Sequence, residues 1–345
     1  MKRGIVLIFL GLILAQAGCG FDKEKGIFMA AGSYGDLAVV VSDLDLRPLA
    51  NRFLAGLVQE KSFVITPEPT FNADVFGPDK LDLAKGYKNV IFLVQVGQGG
   101  KAEKEAQKQI SSETWDRLVA GGGGVVQVKD PWSTYQHLVM VVSRDRNNLG
   151  SISARNTEKI RDILQNSNRE RILRRNRYEG LNTNLVNACL DRLGFFLEIP
   201  QEYSQNQLQP DGFPGVEFMR HRPSRGITVS WLDNVNTVKV MADREQLIKM
   251  RREMGVKLHN EEILPETFIW SEETFGDQVF TKLEGSWTSN KFSGGGAFWT
   301  YFLPAEEQGR VYCLDLLVYA PGMEKMPFFR RMEAVASTFS TTRLR

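Results

Sequence analysis

Asp43 and Asp45 flank Leu44 directly after the β-branched run Leu37–Val41. Two carboxylates one residue apart at a strand's end can hold a Mg²⁺ ion while one attacks a phosphoryl group, the arrangement of a metal-dependent phosphohydrolase. Arg47 stands where such an enzyme carries Thr, and no later acid pair at a strand end completes the metal site. The same spacing suits Asp45 as the N-cap of a helix starting at Leu46, with Pro48 in its first turn, and the sequence favours that role. Gly97-Gln98-Gly99-Gly100-Lys101-Ala102 partly matches a dinucleotide loop, whose glycines let a pyrophosphate approach backbone amides. Gln95 and Ala102 stand where a P-loop has Gly and Ser/Thr, so a surface connection into the charged stretch Lys101–Lys108 accounts for it better. The three histidines, His137, His221 and His259, show no metal-ligand spacing, and no Gly-x-Ser-x-Gly elbow occurs. The sequence therefore assigns no catalytic residue, no cofactor and no metal site.

Two basic clusters remain. Arg169, Arg171, Arg174, Arg175 and Arg177 sit near the end of a long polar helix, and Arg220-His221-Arg222-Pro223-Ser224-Arg225-Gly226 reads as a hairpin tip. Either cluster offers guanidinium groups to anionic lipid, as an assembly scaffold would need, but both suit solvated faces and turns. Trp287, Phe298, Trp299, Tyr301 and Phe302 alternate along neighbouring strands; one set fills a core, and Trp299 and Tyr301 are candidates to line a pocket.

The N-terminus carries an address. Lys2 and Arg3 precede the ten-residue stretch Ile5–Leu14, and Ala15-Gln16-Ala17-Gly18-Cys19 follows. A basic start, a short apolar core and small residues before a cysteine predict a lipoprotein signal peptide over residues 1–18, with lipidation at Cys19, although Gln16 stands where Leu is usual. The stretch is half the ~20 residues a membrane-spanning helix needs. The expected location is the bacterial cell envelope, on the periplasmic face or the outer membrane, with the lipid on Cys19 binding the membrane.

The chain of 345 residues is long enough for two domains and is 42% hydrophobic. Its net charge of +2 falls to zero once Lys2 and Arg3 are removed, which argues against nucleic acid as a partner. After Cys19 only Cys189 and Cys313 remain; Cys189 lies on the apolar face Leu181, Leu185, Cys189, Leu193, and pairing of the two stays open.

Patterning predicts a tether over residues 19–35, an N-terminal domain over 36–176 and a C-terminal domain over 177–345. The first has strands at Leu37–Val41, Asn89–Val96, Val125–Val128 and His137–Val142, and helices at Leu46–Leu57, before Gly121 and at Asn156–Arg174. The second has a helix over Leu181–Leu193, strands at Phe195–Ile199, Val216–Met219 and Ile227–Leu232, and a helix over Asp243–Glu253. A meander follows, Gln278–Trp287, Ala297–Leu303 and Val311–Tyr319, closed by a helix bearing Met326, Phe329, Met332, Ala336 and Phe339 on one face. The fold class expected is α+β, two sandwich-like halves, each a mainly antiparallel sheet covered by helices.

Pro67-Glu68-Pro69-Thr70-Phe71, Lys88-Asn89-Val90-Ile91, Gly285-Ser286-Trp287, Gly295-Gly296-Ala297-Phe298, and Tyr319-Ala320-Pro321 with Lys325 resemble domain-of-unknown-function family 4837. Lys88 stands where that family usually has Arg, and Ala297 where it has Pro. The resemblance extends over nearly the whole mature chain and implies an envelope lipoprotein with no assigned activity. The plan of the second half, from Phe195-x-x-x-x-Pro200 through the meander to the last helix, also looks like the fold of photosystem oxygen-evolving accessory proteins. These readings favour a non-catalytic, lipid-anchored module that binds an envelope protein or a small ligand, with a phosphohydrolase using Asp43 and Asp45 as the alternative.

Overall fold

The computed structural model describes residues 21–22, 27–61, 67–206, 213–289 and 294–341; the expected signal peptide and Cys19 lie outside them. The fold is α+β, in two compact units. One comprises the chain to Gln59 with Phe71–Ser167, the other Glu60–Thr70 with Asn168 onward. The dividing point thus falls before the expected 176/177 boundary, and residues 60–70 join the second unit. No helix among the described residues is long and apolar enough to cross a membrane.

The N-terminal unit is built on β1 (Asp36–Val41), β2 (Asn72–Phe76), β3 (Asn89–Gln95), β4 (Gly124–Lys129) and β5 (His137–Ser143), in the order β2-β1-β3-β5-β4. Pairings β1–β2, β1–β3 and β3–β5 are parallel, and only β4–β5 is antiparallel. This corrects the expected mainly antiparallel sheet. The signal lay in the runs Leu37–Val41, Val90–Val94 and Leu138–Val142, every residue of which is buried. A strand covered on both faces loses the polar alternation of a half-wet sheet.

Helices α1 (Arg47–Leu57), α2 (Lys101–Lys108), α3 (Ser112–Ala120), α4 (Arg146–Arg155) and α5 (Thr157–Glu179) supply the cover. Leu49, Phe53 and Leu57 of α1 join Leu149, Ile152, Ile160 and Leu164 on one face. Ala102 and Ala106 of α2 and Trp115 and Val119 of α3 fill the other. Before β4, Gly123 adopts φ +126°, and a Cβ there would lie 2.3 Å from the Val142 carbonyl oxygen, so only glycine fits. Part of the expected tether is fixed: the Ala30 and Ala31 amides donate to the Thr134 and Gly86 carbonyls at 2.9 and 2.8 Å.

The C-terminal unit holds α6 (Thr183–Ala188), α7 (Thr237–Ala242), α8 (Arg244–His259) and α9 (Met326–Ala336) around an antiparallel sheet. Its strands are β6 (Ser204–Asn206), β7 (Gly215–Arg220), β8 (Ser224–Leu232), β9 (Glu261–Phe275), β10 (Gln278–Ser289), β11 (Gly294–Ala305) and β12 (Arg310–Tyr319), ordered β6-β7-β8-β12-β11-β10-β9. Phe329, Met332 and Val335 of α9 pack on Trp299, Leu314 and Leu316, with Trp299 and Phe329 stacked at 4.5 Å. Leu247, Met250 and Met254 of α8 pack on the opposite face, against Phe298, Phe302 and Val311. Phe195–Ile199 is not a strand; Phe196 makes one isolated bridge to Ser340. Cys189 lies in the α9-side core and Cys313 in the α8-side core, both as free thiols. Burial pushes both up, Cys189 to about 12.

Candidate functional site

In the N-terminal unit the chain leaves β1 toward the α1 face and leaves β3 toward the α2 face. The crevice between such diverging connections, at the carboxyl ends of the strands, is where open α/β sheets receive ligands. Here it unites two candidates from the sequence. Ser42 N donates to the Leu93 carbonyl at 3.0 Å and Gln95 N to Ser42 Oγ at 2.9 Å, while a Cβ on Gly100 would sit 3.5 Å from the Ser42 carbonyl oxygen. Asp43–Asp45 and Gly97–Gly100 therefore border one crevice.

The chain's own groups are engaged on both sides of it. Asp43 Oδ1 accepts from Asp45 N at 2.8 Å, capping the 3₁₀ turn Leu44–Leu46 that leads into α1. The cap is Asp43 rather than the expected Asp45, because that extra turn moves the first free amides back by one short helix. Asp45 is exposed, and its carbonyl oxygen accepts from Arg146. Across the crevice, buried Glu103 accepts from Gly97 N at 2.8 Å and Gly99 N at 2.7 Å. Those are the amides a dinucleotide loop would turn to pyrophosphate. Among the described residues no three His, Cys, Asp or Glu side chains lie close enough to hold a metal ion.

The C-terminal unit buries charge on both sheet faces, which sequence patterning missed. On the α9 side Lys282 is 2% exposed, with Nζ 3.0 Å from Glu284, 3.3 Å from Glu333 and 3.8 Å from Glu273. Its ammonium stands 3.9 Å from the Trp299 ring centre, and the Tyr301 hydroxyl donates to Glu333 at 2.7 Å. Trp299 and Tyr301 thus enclose an ammonium instead of lining an open pocket. Lys61 also reaches Glu284, at 2.8 Å. Burial alone would lower the Lys282 pKa, but the three carboxylates raise it above the ordinary lysine value. Burial likewise opposes ionisation of Glu333 and Glu284, yet Lys282 holds both below the carboxylate range. Alternating Lys282 and Glu284 among strand apolars was the signal available; a buried pair broken on one side costs about 3–5 kcal/mol.

On the α8 side Arg251 is fully buried, 2.9 Å from Glu261 and 2.8 Å from Asp315. Thr300 Oγ1 donates to Asp315, and the guanidinium lies 4.4 Å from the Phe298 ring centre. Nearby, His259 Nε2 is 2.7 Å from Glu217. The other histidines are apart from it: His137 is buried beside Gln127, and His221 is exposed in the β7–β8 turn.

The first arginine cluster is largely paired. Arg177 forks onto Glu198 at 2.9 and 2.7 Å, Arg175 donates to Glu179 at 2.7 Å, Arg171 to Asn168 at 2.6 Å, and Arg169 lies 4.4 Å from the Phe275 ring centre. The second occupies the β7–β8 hairpin, as expected.

Residues 182–338 match the family described as "Domain of unknown function (DUF4837)". This stretch of the C-terminal unit matches the DUF4837 family. The match is confined to this half, so the motifs around Glu68 and Asn89 lie outside it.

Solved structures similar to the chain include a protein of Bacteroides thetaiotaomicron, 11% identical, covering 43% of this chain and 45% of that one, with a TM-score of 0.29. The chain therefore spans under half the length of that relative. Cyanobacterial PsbP (CyanoP) of Synechocystis is 14% identical over 44% of this chain and 88% of its own, TM-score 0.32. LpqN of Mycobacterium tuberculosis, described as involved in cell envelope biogenesis, is 18% identical over 42% and 82%, TM-score 0.28. No curated protein matches the chain.

Within the C-terminal unit the motifs do structural work. Trp287 pairs with Gly296 across β10 and β11, and a Cβ on Gly296 would lie 2.8 Å from the indole nitrogen, so the glycine makes room for the tryptophan. Glu68 accepts from the Lys325 amide (2.9 and 2.7 Å) and the Met326 amide (2.8 Å), which explains the Pro67-Glu68-Pro69 and Lys325 motifs together.

Proposed function

We propose that this chain is an envelope protein, lipid-anchored through Cys19, that acts by binding and not by catalysis. The observation that carries the reading is the crevice above β1 and β3. There Asp43 holds the chain's own Asp45 amide, and Glu103 holds the Gly97 and Gly99 amides. A nucleophilic carboxylate must face substrate, and a phosphate-binding loop must present free amides, so chemistry there would require both contacts to break. The signal-like segment ending at Cys19 supports the anchoring.

Two measurements test this. Growth with labelled palmitate should place label on Cys19 and none on a Cys19→Ser chain; an unlabelled, full-length N-terminus overturns the anchoring. Mg²⁺-dependent hydrolysis of generic phosphate esters should stay at background. Turnover that disappears in Asp43→Asn overturns the non-catalytic reading.

A further inference from the structure

Arg225 is only 3% exposed, yet among the described residues no carboxylate pairs with it. Buried arginine is rare without such a partner, since desolvating a guanidinium is costly. Its Nη1 reaches the Pro223 carbonyl at 3.3 Å, Tyr203 lies beside it, and the Phe328 ring centre is 5.1 Å away. Its Nε is buried with no hydrogen-bond partner.

The neighbours deepen the imbalance. Arg225 stands directly opposite Arg220 in the β7–β8 ladder, a like-charge pair that destabilises a sheet. Arg331 of α9, exposed to solvent, adds a third guanidinium whose field also repels Arg225. Among the described residues the acid paired with this group is Glu202, on Arg220. Three guanidiniums and one carboxylate leave two positive charges, and burial with this repulsion lowers the Arg225 pKa.

We propose that Arg220, Arg225 and Arg331 form an anion site that takes a phosphate group. A phosphate monoester carries close to two negative charges at neutral pH and offers three acceptor oxygens. It matches the local excess better than a single carboxylate, and guanidinium forks suit its geometry. The site gives the binding reading a ligand class but rests on this hairpin and the neighbouring face of α9 alone, so failure of lipidation or of the non-catalytic reading leaves it standing.

The test is titration of the mature chain with inorganic phosphate at constant ionic strength in chloride, followed by calorimetry and thermal unfolding. Saturable binding and a raised Tm are expected. Loss of one charge-assisted contact in Arg331→Gln should weaken binding by about tenfold or more. Arg225→Lys should weaken it further, and if that variant fails to fold, surface-exposed Arg331 keeps the test intact. Flotation of a Cys19→Ser chain with phosphatidic acid vesicles separates the sources. Arg331-dependent binding to vesicles without a response to inorganic phosphate assigns a lipid headgroup, and a response to inorganic phosphate assigns a free phosphate ester. Silence in both arms, or binding unchanged by Arg331→Gln, overturns the proposal.

Discussion

His259 and Glu217, 2.7 Å apart, join the C-terminal end of α8 to β7. Burial opposes the charged imidazole, but the Glu217 hydrogen bond and the nearby Glu261 carboxyl outweigh burial and the repulsion from Arg251, so the His259 pKa is raised. A histidine whose folded pKa exceeds its unfolded one stabilises the fold fully below the unfolded value. That stability is lost as pH rises through the folded value. Urea unfolding of the intact chain should therefore show a component of stability that declines as pH climbs above the ordinary histidine range. In His259→Asn that component should be absent, and an identical pH profile in the variant would remove the ion pair from the account. The partners of Arg251 follow the same sign: burial pushes the Glu261 and Asp315 carboxyl pKa values up despite the guanidinium, so their contribution is present below the unfolded carboxyl values and is lost as pH rises through the folded ones.

Among elements, α9 depends on a residue far away in sequence. Pro327 occupies its first turn, no side chain of its own caps it, and Glu68 supplies the missing acceptor for two amides. Glu68→Ala should cost about 1–2 kcal/mol, the range of a lost cap near a helix dipole, and Glu68→Gln less. Equal urea midpoints for Glu68→Ala and the parent would show that α9 needs no such cap. The apolar periodicity of α9, and the strands β10 to β12, were legible because each buries a regular stripe or alternating face. β9 was not: Glu261, Glu262, Glu266, Glu272 and Glu273 break its pattern, and its ladder slips between Leu264 and Ile269. The parallel pairing of β1, β3 and β5 differs from the sequence expectation because their apolar runs mark strands covered on both faces, a signal of parallel pairing that the expectation of a half-wet sheet passed over. At the crevice the two motifs were visible as residues, but their shared location came from sheet order, and Glu103 gave no signal beyond following the glycines. The buried charges of Lys282 and Arg251 were not placed for a related reason: patterning puts charge outside, and although Lys282 and Glu284 alternate among strand apolars, only cross-strand register shows which carboxylates meet them.

At the scale of the molecule, the two units interleave in sequence, since residues 60–70 leave the first unit and are built into the second. This segment contributes Lys61 to Glu284, Glu68 to the start of α9, and the Thr70 carbonyl to Arg330 at 2.6 Å. A boundary drawn by position alone would cut these contacts away. A fragment of residues 157–345 keeps α5 whole but lacks the segment, leaving the Lys325 and Met326 amides without their acceptor. It should unfold at a lower temperature than the corresponding transition of the full chain. A synthetic peptide of residues 60–70 added in trans should then bind it, and at a hundredfold excess over Kd should restore about 2.7 kcal/mol by mass action. A peptide carrying Glu68→Ala and Lys61→Ala should restore far less. If the fragment melts like the full chain and neither peptide shifts Tm, these contacts ride on the C-terminal unit without supporting it, and 157–345 folds in its own right.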